Sequence, residues 1–292
     1  MSWFLNIKIQ TARFIYSPFR AVKQLLNILR YVNIWSTFYW NLRIFPLKVA
    51  IHVPIYFGYK IDIRNFKRGN IRLKNSKIRR GQILIGISKY PTFPTKGEST
   101  LLRFTPGAQL ILGERVTIAR GCSMVVSYGG KIIFGNDVYL NQGVMLYSND
   151  SISIGNHTRI GWKCQIYDSS VHLMVDIDSN MVRDPKKPIV ISDNAWVANH
   201  VTITGGAYVP PFAIVAAHSL VNKSFQGEIG GFLFGMPAKY KPMKKVRILN
   251  ESVEWEIKNN LFRKQDKKEI NIKELGLDPL PLDANSNNLY VP

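Results

Sequence analysis

Large apolar residues recur at every sixth position over much of the chain between Leu112 and Val221. The longest unbroken run is Ile191, Val197, Ile203, Val209, Val215 and Val221; earlier members are Leu112, Ile118, Phe134, Leu140, Ile154, Ile160 and Ile166. A period of six fits neither an α-helix nor a simple alternating strand. It is typical of a β-helix, in which each repeat contributes one short strand and a turn.

A small or β-branched residue follows four positions after the large one in each full repeat. These residues are Val116, Cys122, Val138, Val144, Thr158, Cys164, Ala195, Val201, Ala207, Ala213 and Ser219. If three repeats form one coil, the large residues stack inward and the small ones fit where the chain turns a corner. Because both cysteines occupy such positions, we expect core residues, and neither a disulfide nor a metal pair.

The pattern predicts a mainly β fold in three parts. Residues 1–69 form a basic helical or extended segment, residues 70–242 form the β-helix, and residues 243–292 form a tail with a short helix near Ser252–Lys264. The six-residue repeat fails between residues 167 and 190, which predicts a loop projecting from the coils. Functional residues concentrate on loops that a rigid scaffold positions.

The formal net charge of +20 is unevenly distributed, because residues 1–61 contain eight Lys or Arg and no acidic residue. This segment is also rich in aromatic residues, and residues 18–34 can form an amphipathic helix capped by Ser17. A basic aromatic helix suits the surface of an anionic membrane. Packing of the helix on the open end of the β-helix is an equally good and compatible interpretation.

The sequence also bears on location and on other partners. No apolar stretch reaches the length of a spanning helix, and no signal peptide is evident. We therefore expect a cytoplasmic protein, with peripheral contact with the inner face of the membrane as one reading of the basic segment. No nucleic-acid recognition motif accompanies the positive charge, so no nucleic acid partner is expected.

The stretch ISDNAWVANHVTITGG, from Ile191 to Gly206, and the later GMPAK, from Gly235 to Lys239, resemble motifs of a known family. It is the family of hexapeptide-repeat acyltransferases with a left-handed parallel β-helix, in the branch of galactoside, maltose and polysaccharide O-acetyltransferases. The resemblance covers roughly residues 70–247, and Ser192 and Ala198 replace two family glycines. It implies a homotrimer, acetyl-CoA as acyl donor, and as acceptor a sugar hydroxyl, as in a surface polysaccharide. The basic aromatic N-terminal segment adds a lipid-linked glycan as a possible acceptor, because it would hold the enzyme where such substrates lie.

The resemblance also implies catalytic residues. His172 matches the family's loop histidine, which would take the proton of the hydroxyl as that oxygen attacks the thioester carbonyl. Asp168 is the nearest acidic candidate for orienting the imidazole ring. The backbone N–H of Asn199 is the candidate donor to the oxyanion.

The family's cofactor site lies on the last coils of the β-helix. By resemblance the cofactor-binding residues are Trp196, Ala198, His200, Ala216, Ala217 and Lys239. His200 and His218 are one coil apart and should lie one above the other. Stacked histidines can bind a metal, but the close histidine pair of the zinc-binding gamma-type carbonic anhydrases is missing, so no metal is expected.

Two alternative functions stay open at this point. A β-helix can serve as a non-catalytic scaffold or binding module, because a fold does not fix a function. A serine O-acetyltransferase is the other alternative, although the long helical N-terminal domain expected of that class is missing. Stabilisation of the protein by CoA against heat would separate the enzymes from the scaffold.

Overall fold

The computed structural model describes residues 30–75, 77–88, 98–226, 230–248, 251–265 and 267–275. Within them, short strands form three sheets of nine, seven and six strands, and the chain passes from the first to the second to the third sheet in each coil. Every strand pair in these sheets is parallel except the last, which joins Phe232–Phe234 to Lys239–Lys241.

The strands of the first sheet, in spatial order, are β1 (Ile55–Phe57), β4 (Ile83–Ile85), β7 (Val116–Ile118), β10 (Tyr139–Leu140), β13 (Arg159–Ile160), β16 (Trp196–Val197), β19 (Ile214–Val215), β21 (Phe232–Phe234) and β22 (Lys239–Lys241). The second sheet contains β2 (Ile61–Arg64), β5 (Thr100–Phe104), β8 (Ser123–Val126), β11 (Met145–Ser148), β14 (Gln165–Tyr167), β17 (Thr202–Thr204) and β20 (Leu220–Val221). The third contains β3 (Ile71–Leu73), β6 (Gln109–Leu112), β9 (Lys131–Phe134), β12 (Ser151–Ile154), β15 (Ile189–Ile191) and β18 (Tyr208–Val209).

The six-residue repeat sets the register between coils. Ile160 pairs with Val197 and Val197 with Val215, so inward residues stack directly on one another. All the large and small repeat positions named above are at most 2% exposed. These features confirm the predicted left-handed parallel β-helix, whose core is a continuous column of aliphatic side chains.

The coils begin earlier than the predicted boundary at residue 70. Strand β1 already pairs with β4, and β2 pairs with β5. The boundary is wrong because the first coils do not keep the six-residue spacing, so periodicity alone does not reveal them. Their inward residues, such as Ile55 and Phe57, are nevertheless completely buried.

Helix α1 (Ile34–Ile44) covers the open edge of β1, and the short helix α2 (Leu47–Ala50) follows it. The hydroxyl of Thr37 accepts the Phe57 N–H at 3.0 Å. The side-chain amide of Asn41 donates to the Ile55 carbonyl at 2.7 Å and accepts the Ile55 N–H at 3.2 Å. Two helix side chains therefore satisfy backbone groups that a further strand would otherwise pair.

The helix predicted over residues 18–34 lies outside the described residues up to residue 29. In the described part its predicted end is wrong, because a new helix, α1, begins at Ile34. Asn33 caps that helix in an extended conformation, and its side chain accepts the Ser36 N–H at 3.0 Å. An asparagine at this position is a typical helix start.

The chain divides into a unit within Leu26–Val246, which contains the coils, and a second unit that includes Arg247–Pro292. In the second unit, α3 (Glu251–Glu256) continues as one π-helical segment (Ile257–Lys264) before a 3₁₀ turn (Ile272–Leu275). The short helix predicted near Ser252–Lys264 is thus confirmed. None of the helices in the described residues is long and apolar enough to cross a bilayer.

Candidate active site

The break in the repeat is a projecting hairpin between β14 and β15. Antiparallel bridges join Ser169 to Lys186 and Val175 to Val182. Residues 170–184 are all exposed. We call residues 168–188 the loop arm; it leaves the coils at the corner between the second and third sheets.

Asp168 anchors the base of the loop arm. Its carboxylate is completely buried and accepts hydrogen bonds from the Ser148 hydroxyl at 2.7 Å, the Asn149 N–H at 2.8 Å and the Asp150 N–H at 3.0 Å. All three donors belong to the neighbouring coil. The orienting role predicted for Asp168 is therefore corrected, because its hydrogen bonds hold the loop rather than the His172 ring.

His172 lies in a bend on the outgoing half of the loop arm, with its side chain exposed. Its backbone carbonyl accepts the Ser170 hydroxyl at 3.1 Å, which fixes the chain locally. Among the described residues, its ring has no hydrogen bond or ion pair. The imidazole is thus accessible to a substrate or to a neighbouring molecule.

The corner between the first and second sheets, which we call the last-coil corner, holds most of the predicted cofactor residues. The His200 and His218 rings are stacked, with centroids 4.9 Å apart and planes 6° from parallel. This confirms the prediction from their one-coil separation. Trp196 is partly exposed on β16, just before the corner.

The backbone at this corner leaves the Asn199 N–H available as a donor. The Ala198 N–H donates to the Val215 carbonyl at 2.9 Å, and the Asn199 carbonyl accepts the His218 N–H at 3.2 Å. Within the described residues, the Asn199 N–H donates no hydrogen bond. A free N–H at a rigid corner is a suitable oxyanion donor.

Gly161 lies directly beneath this peptide in the preceding coil. A Cβ at Gly161 would lie 2.6 Å from both the Ala198 carbonyl carbon and the Asn199 nitrogen. Such contacts are too short, so a larger residue would displace the Asn199 peptide. The position of the candidate donor therefore depends on this glycine.

The remaining cofactor candidates lie further along the first sheet. The Ala216 N–H donates to the Leu233 carbonyl at 2.8 Å, and Ala217 is exposed beside it. Lys239 is exposed on β22, opposite Phe234. The predicted set thus extends from the last-coil corner to the β22 edge.

The topology separates the loop arm from the last-coil corner. The two features lie at opposite ends of the second-sheet strands, because the loop arm follows β14 and the corner precedes β17. A groove of about 380 Å³ lies between the loop base and the outer face of the second sheet, lined in part by Tyr147, Tyr167 and Val171. Sequence analysis missed these tyrosines, although they occupy outward positions of consecutive strands.

Sequence analysis also missed an ionic cluster at the corner between the third and first sheets. Asp137 Oδ2 lies 3.0 Å from His157 Nδ1 and 2.9 Å from Arg159 Nη2. Partial burial raises the pKa of Asp137, but the hydrogen bond from His157 and the charge of Arg159 outweigh it and hold the pKa at about 2. Arg159 pairs with Trp196 of the next coil, so the cluster supports the strand before the last-coil corner.

The described residues contain no group of three His, Cys, Asp or Glu side chains that could hold a metal ion. Both cysteines are free and buried. Burial raises the pKa of Cys122 and of Cys164 to about 12. Neither thiol is therefore available as a nucleophile at neutral pH.

Comparison with known proteins identifies acetyltransferases as relatives, although no family model matches the chain. A putative acetyltransferase of Dictyostelium discoideum is 29% identical over 48% of this chain and 70% of its own length. The galactoside O-acetyltransferase of Lactococcus lactis is 27% identical over 39% of this chain and 55% of its own length. A putative colanic acid biosynthesis acetyltransferase of Escherichia coli is 29% identical over 40% of this chain and 62% of its own length.

The aligned stretches thus span between about half and just over two thirds of these relatives. The chain is thus similar in sequence to acetyltransferases, a galactoside O-acetyltransferase among them, and its own fold is a left-handed parallel β-helix of six-residue repeats.

Proposed function

We propose that the protein transfers an acetyl group from acetyl-CoA to a sugar hydroxyl of a surface polysaccharide or lipid-linked glycan. The observation that carries this proposal is that the chain presents both an exposed loop histidine, His172, and a backbone N–H that makes no hydrogen bond in the described residues, that of Asn199. The named relatives support the acceptor class, because they include a galactoside and a colanic acid acetyltransferase.

The chemistry is direct transfer with His172 as general base. The neutral imidazole takes the proton of the acceptor hydroxyl while that oxygen attacks the thioester carbonyl. The Asn199 N–H stabilises the tetrahedral oxyanion. When the intermediate collapses, the carbon–sulfur bond breaks, and the CoA thiolate leaves and receives the proton from the imidazolium. No acyl-enzyme forms, in keeping with the two buried, protonated cysteines.

The site is composite in this proposal, with the loop arm of one chain meeting the last-coil corner of a neighbour in a homotrimer. This arrangement is supported by the topology, in which the loop arm and the last-coil corner lie at opposite ends of the second-sheet strands. The loop arm also exposes a series of large apolar side chains, namely Val171, Leu173, Met174, Val175, Ile177, Met181 and Val182. Clustered exposed apolar residues are typical of a surface that contacts another molecule.

Acetyl-CoA, the acyl donor, would lie along the last-coil corner. The small side chains of Ala198, Ala216 and Ala217 leave room for the narrow pantetheine arm. Trp196 and His200 offer flat surfaces beside it, and Lys239 supplies a positive charge for the phosphates. The scaffold and serine O-acetyltransferase alternatives are not favoured, because the named relatives include a galactoside O-acetyltransferase and a putative colanic acid biosynthesis acetyltransferase.

We also propose peripheral contact with the inner face of the membrane, where lipid-linked acceptors lie. This part of the proposal follows from the basic aromatic N-terminal segment, and it is independent of the chemistry at the site.

The proposed CoA site can be tested by thermal stabilisation, since a ligand that binds only the folded state raises the melting temperature. We expect CoA to stabilise the wild-type protein, and Lys239→Gln to weaken CoA binding about two- to fivefold, as for a partly exposed ion pair. Lys131→Gln is the matched control, because Lys131 is exposed on the third sheet. Absence of any CoA effect on the wild type would contradict the proposed function.

A further inference from the structure

Helix α1 presents an apolar face to solvent. Trp35, Phe38, Tyr39 and Leu42 follow the spacing of one helical face. Trp35 is 87% exposed, and the other three are each more than half exposed. A surface helix normally directs polar residues outward, so this face is the reverse of the usual arrangement.

The inward side of α1 explains why the helix cannot rotate to hide these residues. Thr37 and Asn41 are buried and hydrogen-bonded to β1. Ile44 is buried in the core at the end of the helix. Because the inward side is fixed by these contacts, the aromatic side is held outward.

The outward surface continues onto α2 and its surroundings. Leu47 is 68% exposed and Ile51 60% exposed. We call Trp35, Phe38, Tyr39, Leu42, Leu47 and Ile51 the α1 face. Exposed cations accompany it in sequence and space: Arg43 and Lys48 lie among its residues, and the Arg68 guanidinium donates to the Leu42 carbonyl at 3.3 Å.

Charge identifies the kind of partner that this face fits. The first acidic residue of the whole chain is Asp62, and its carboxylate is already paired with Arg64. The α1 face combines tryptophan and other large apolar residues with charged residues that are all positive. Such a face is complementary to the headgroup region of an anionic bilayer. Self-association through the same face would bring the two sets of cations together, which disfavours a second copy as the occupant.

We propose that the α1 face rests on an anionic lipid surface, with Trp35 and Phe38 entering the headgroup boundary and Arg43, Lys48 and Arg68 facing lipid phosphates. This inference assigns a surface to the membrane contact proposed above, and it rests on that proposal only for the choice of membrane leaflet. Because α1 covers the β1 edge of the first sheet, the contact leaves the β22 edge and the last-coil corner free.

The test is co-sedimentation of the full chain with vesicles of phosphatidylglycerol and phosphatidylcholine in equal parts, and with vesicles of phosphatidylcholine alone. We expect binding to the anionic vesicles that weakens with added salt. Trp35→Ser combined with Phe38→Ser should weaken binding about tenfold or more, since two large apolar side chains no longer enter the boundary. Lys48→Gln should weaken it about fivefold.

Trp255→Ser is the matched control, because Trp255 is a tryptophan 60% exposed on α3, outside the α1 face. It should bind like the wild type. Equal binding of the wild type and the double variant would overturn the inference. So would wild-type self-association that the double variant abolishes in the absence of vesicles, because the face would then be an interface between copies.

If the double variant has a lowered melting temperature, the inference is judged instead on the binding of Lys48→Gln and on the salt dependence of wild-type binding. Both measurements leave the apolar side chains of the α1 face unchanged. Acetyl transfer to a water-soluble acceptor should be unchanged in all these variants. Failure of vesicle binding would therefore leave the proposed chemistry standing, and failure of the chemistry would leave vesicle binding standing.

Discussion

At the scale of single residues, Asp168 shows how a carboxylate near a candidate base can serve the scaffold instead. It accepts three hydrogen bonds from the coil below and is completely buried. An amide in its place would turn a donor toward at least one of these donors. A buried group left without a partner destabilises a protein more than the lost bond alone.

We expect Asp168→Asn to lower the free energy of unfolding by about 2 kcal/mol, the scale of a hydrogen bond to a charged group. Activity should fall because the loop arm loosens, while the pH profile of kcat keeps its shape. Denaturant unfolding and a pH–rate profile measure the two effects. Asp178→Asn, an exposed carboxylate of the same loop, is the control. A shifted profile in a fully stable Asp168→Asn protein would restore the orienting role.

The carboxylate of Asp137 gives the second residue-scale prediction, on pH. Its folded-state pKa of about 2 lies below the ordinary value of 3.8. A depressed carboxyl pKa contributes stability that is present above the unfolded pKa and is lost as pH falls through the folded pKa. The difference corresponds to about 2 kcal/mol, since one pKa unit is about 1.4 kcal/mol.

The free energy of unfolding of the wild type should therefore fall by about 2 kcal/mol as the pH is lowered from about 4 to 2. Asp137→Asn should not show this fall, because it has no carboxylate at that position to protonate. Denaturant unfolding across this range measures the difference. Parallel pH dependence of the two proteins would contradict the ionic account of this corner.

At the scale of elements, the cap formed by α1 is the feature most open to a stability test. Asn41 is buried and bonds both backbone groups of Ile55. We expect Asn41→Ala to lower the free energy of unfolding by about 2–3 kcal/mol, because two buried backbone groups lose their partner.

Asn222→Ala provides the control for the cap, since Asn222 is exposed. Urea unfolding of both variants measures the contrast. Equal unfolding free energies of Asn41→Ala and Asn222→Ala would mean that the hydrogen bonds from α1 to the open edge of β1 do not stabilise the fold.

The sequence predicts elements well where one residue type repeats at a fixed spacing. Ile191, Val197 and Ile203 lie inward as predicted, because the core needs one large apolar side chain from each of the three sheets in every coil. The first coils escaped prediction because their spacing is irregular. The hydrogen bonds of Asp168 and Asn41 were not predicted, because they link residues of different elements. A single sequence does not show which backbone or side-chain groups will lie next to these two side chains in the fold.

At the scale of the whole molecule, the composite site that we propose for a homotrimer predicts complementation between chains. His172→Ala removes the base, and Gly161→Ala displaces the Asn199 peptide; each alone should be nearly inactive. Coexpressed in equal amounts, the two variants should form mixed trimers in which about one quarter of the sites are intact, because loop and corner come from different chains.

Gly155→Ala is the control for the glycine change. A Cβ there meets the Asp193 nitrogen at 2.4 Å, a comparable clash at another corner. Gly155→Ala should lower the free energy of unfolding about as much as Gly161→Ala does. The Gly155→Ala protein that remains folded should keep its acetyltransferase activity. No recovery of activity in properly mixed trimers would place the whole site within one chain.

The most direct test of the central claim is CoA release from acetyl-CoA in the presence of sugar and lipid-linked sugar acceptors, compared between the wild type and His172→Ala. His52→Ala is the control, because His52 is an exposed histidine near α2, away from the loop arm. We predict acceptor-dependent release by the wild type and His52→Ala, and a fall of about 10²- to 10⁴-fold in His172→Ala, the usual contribution of a general base. Undiminished release by His172→Ala would contradict the assigned base, and no release with any acceptor would contradict the acetyltransferase itself.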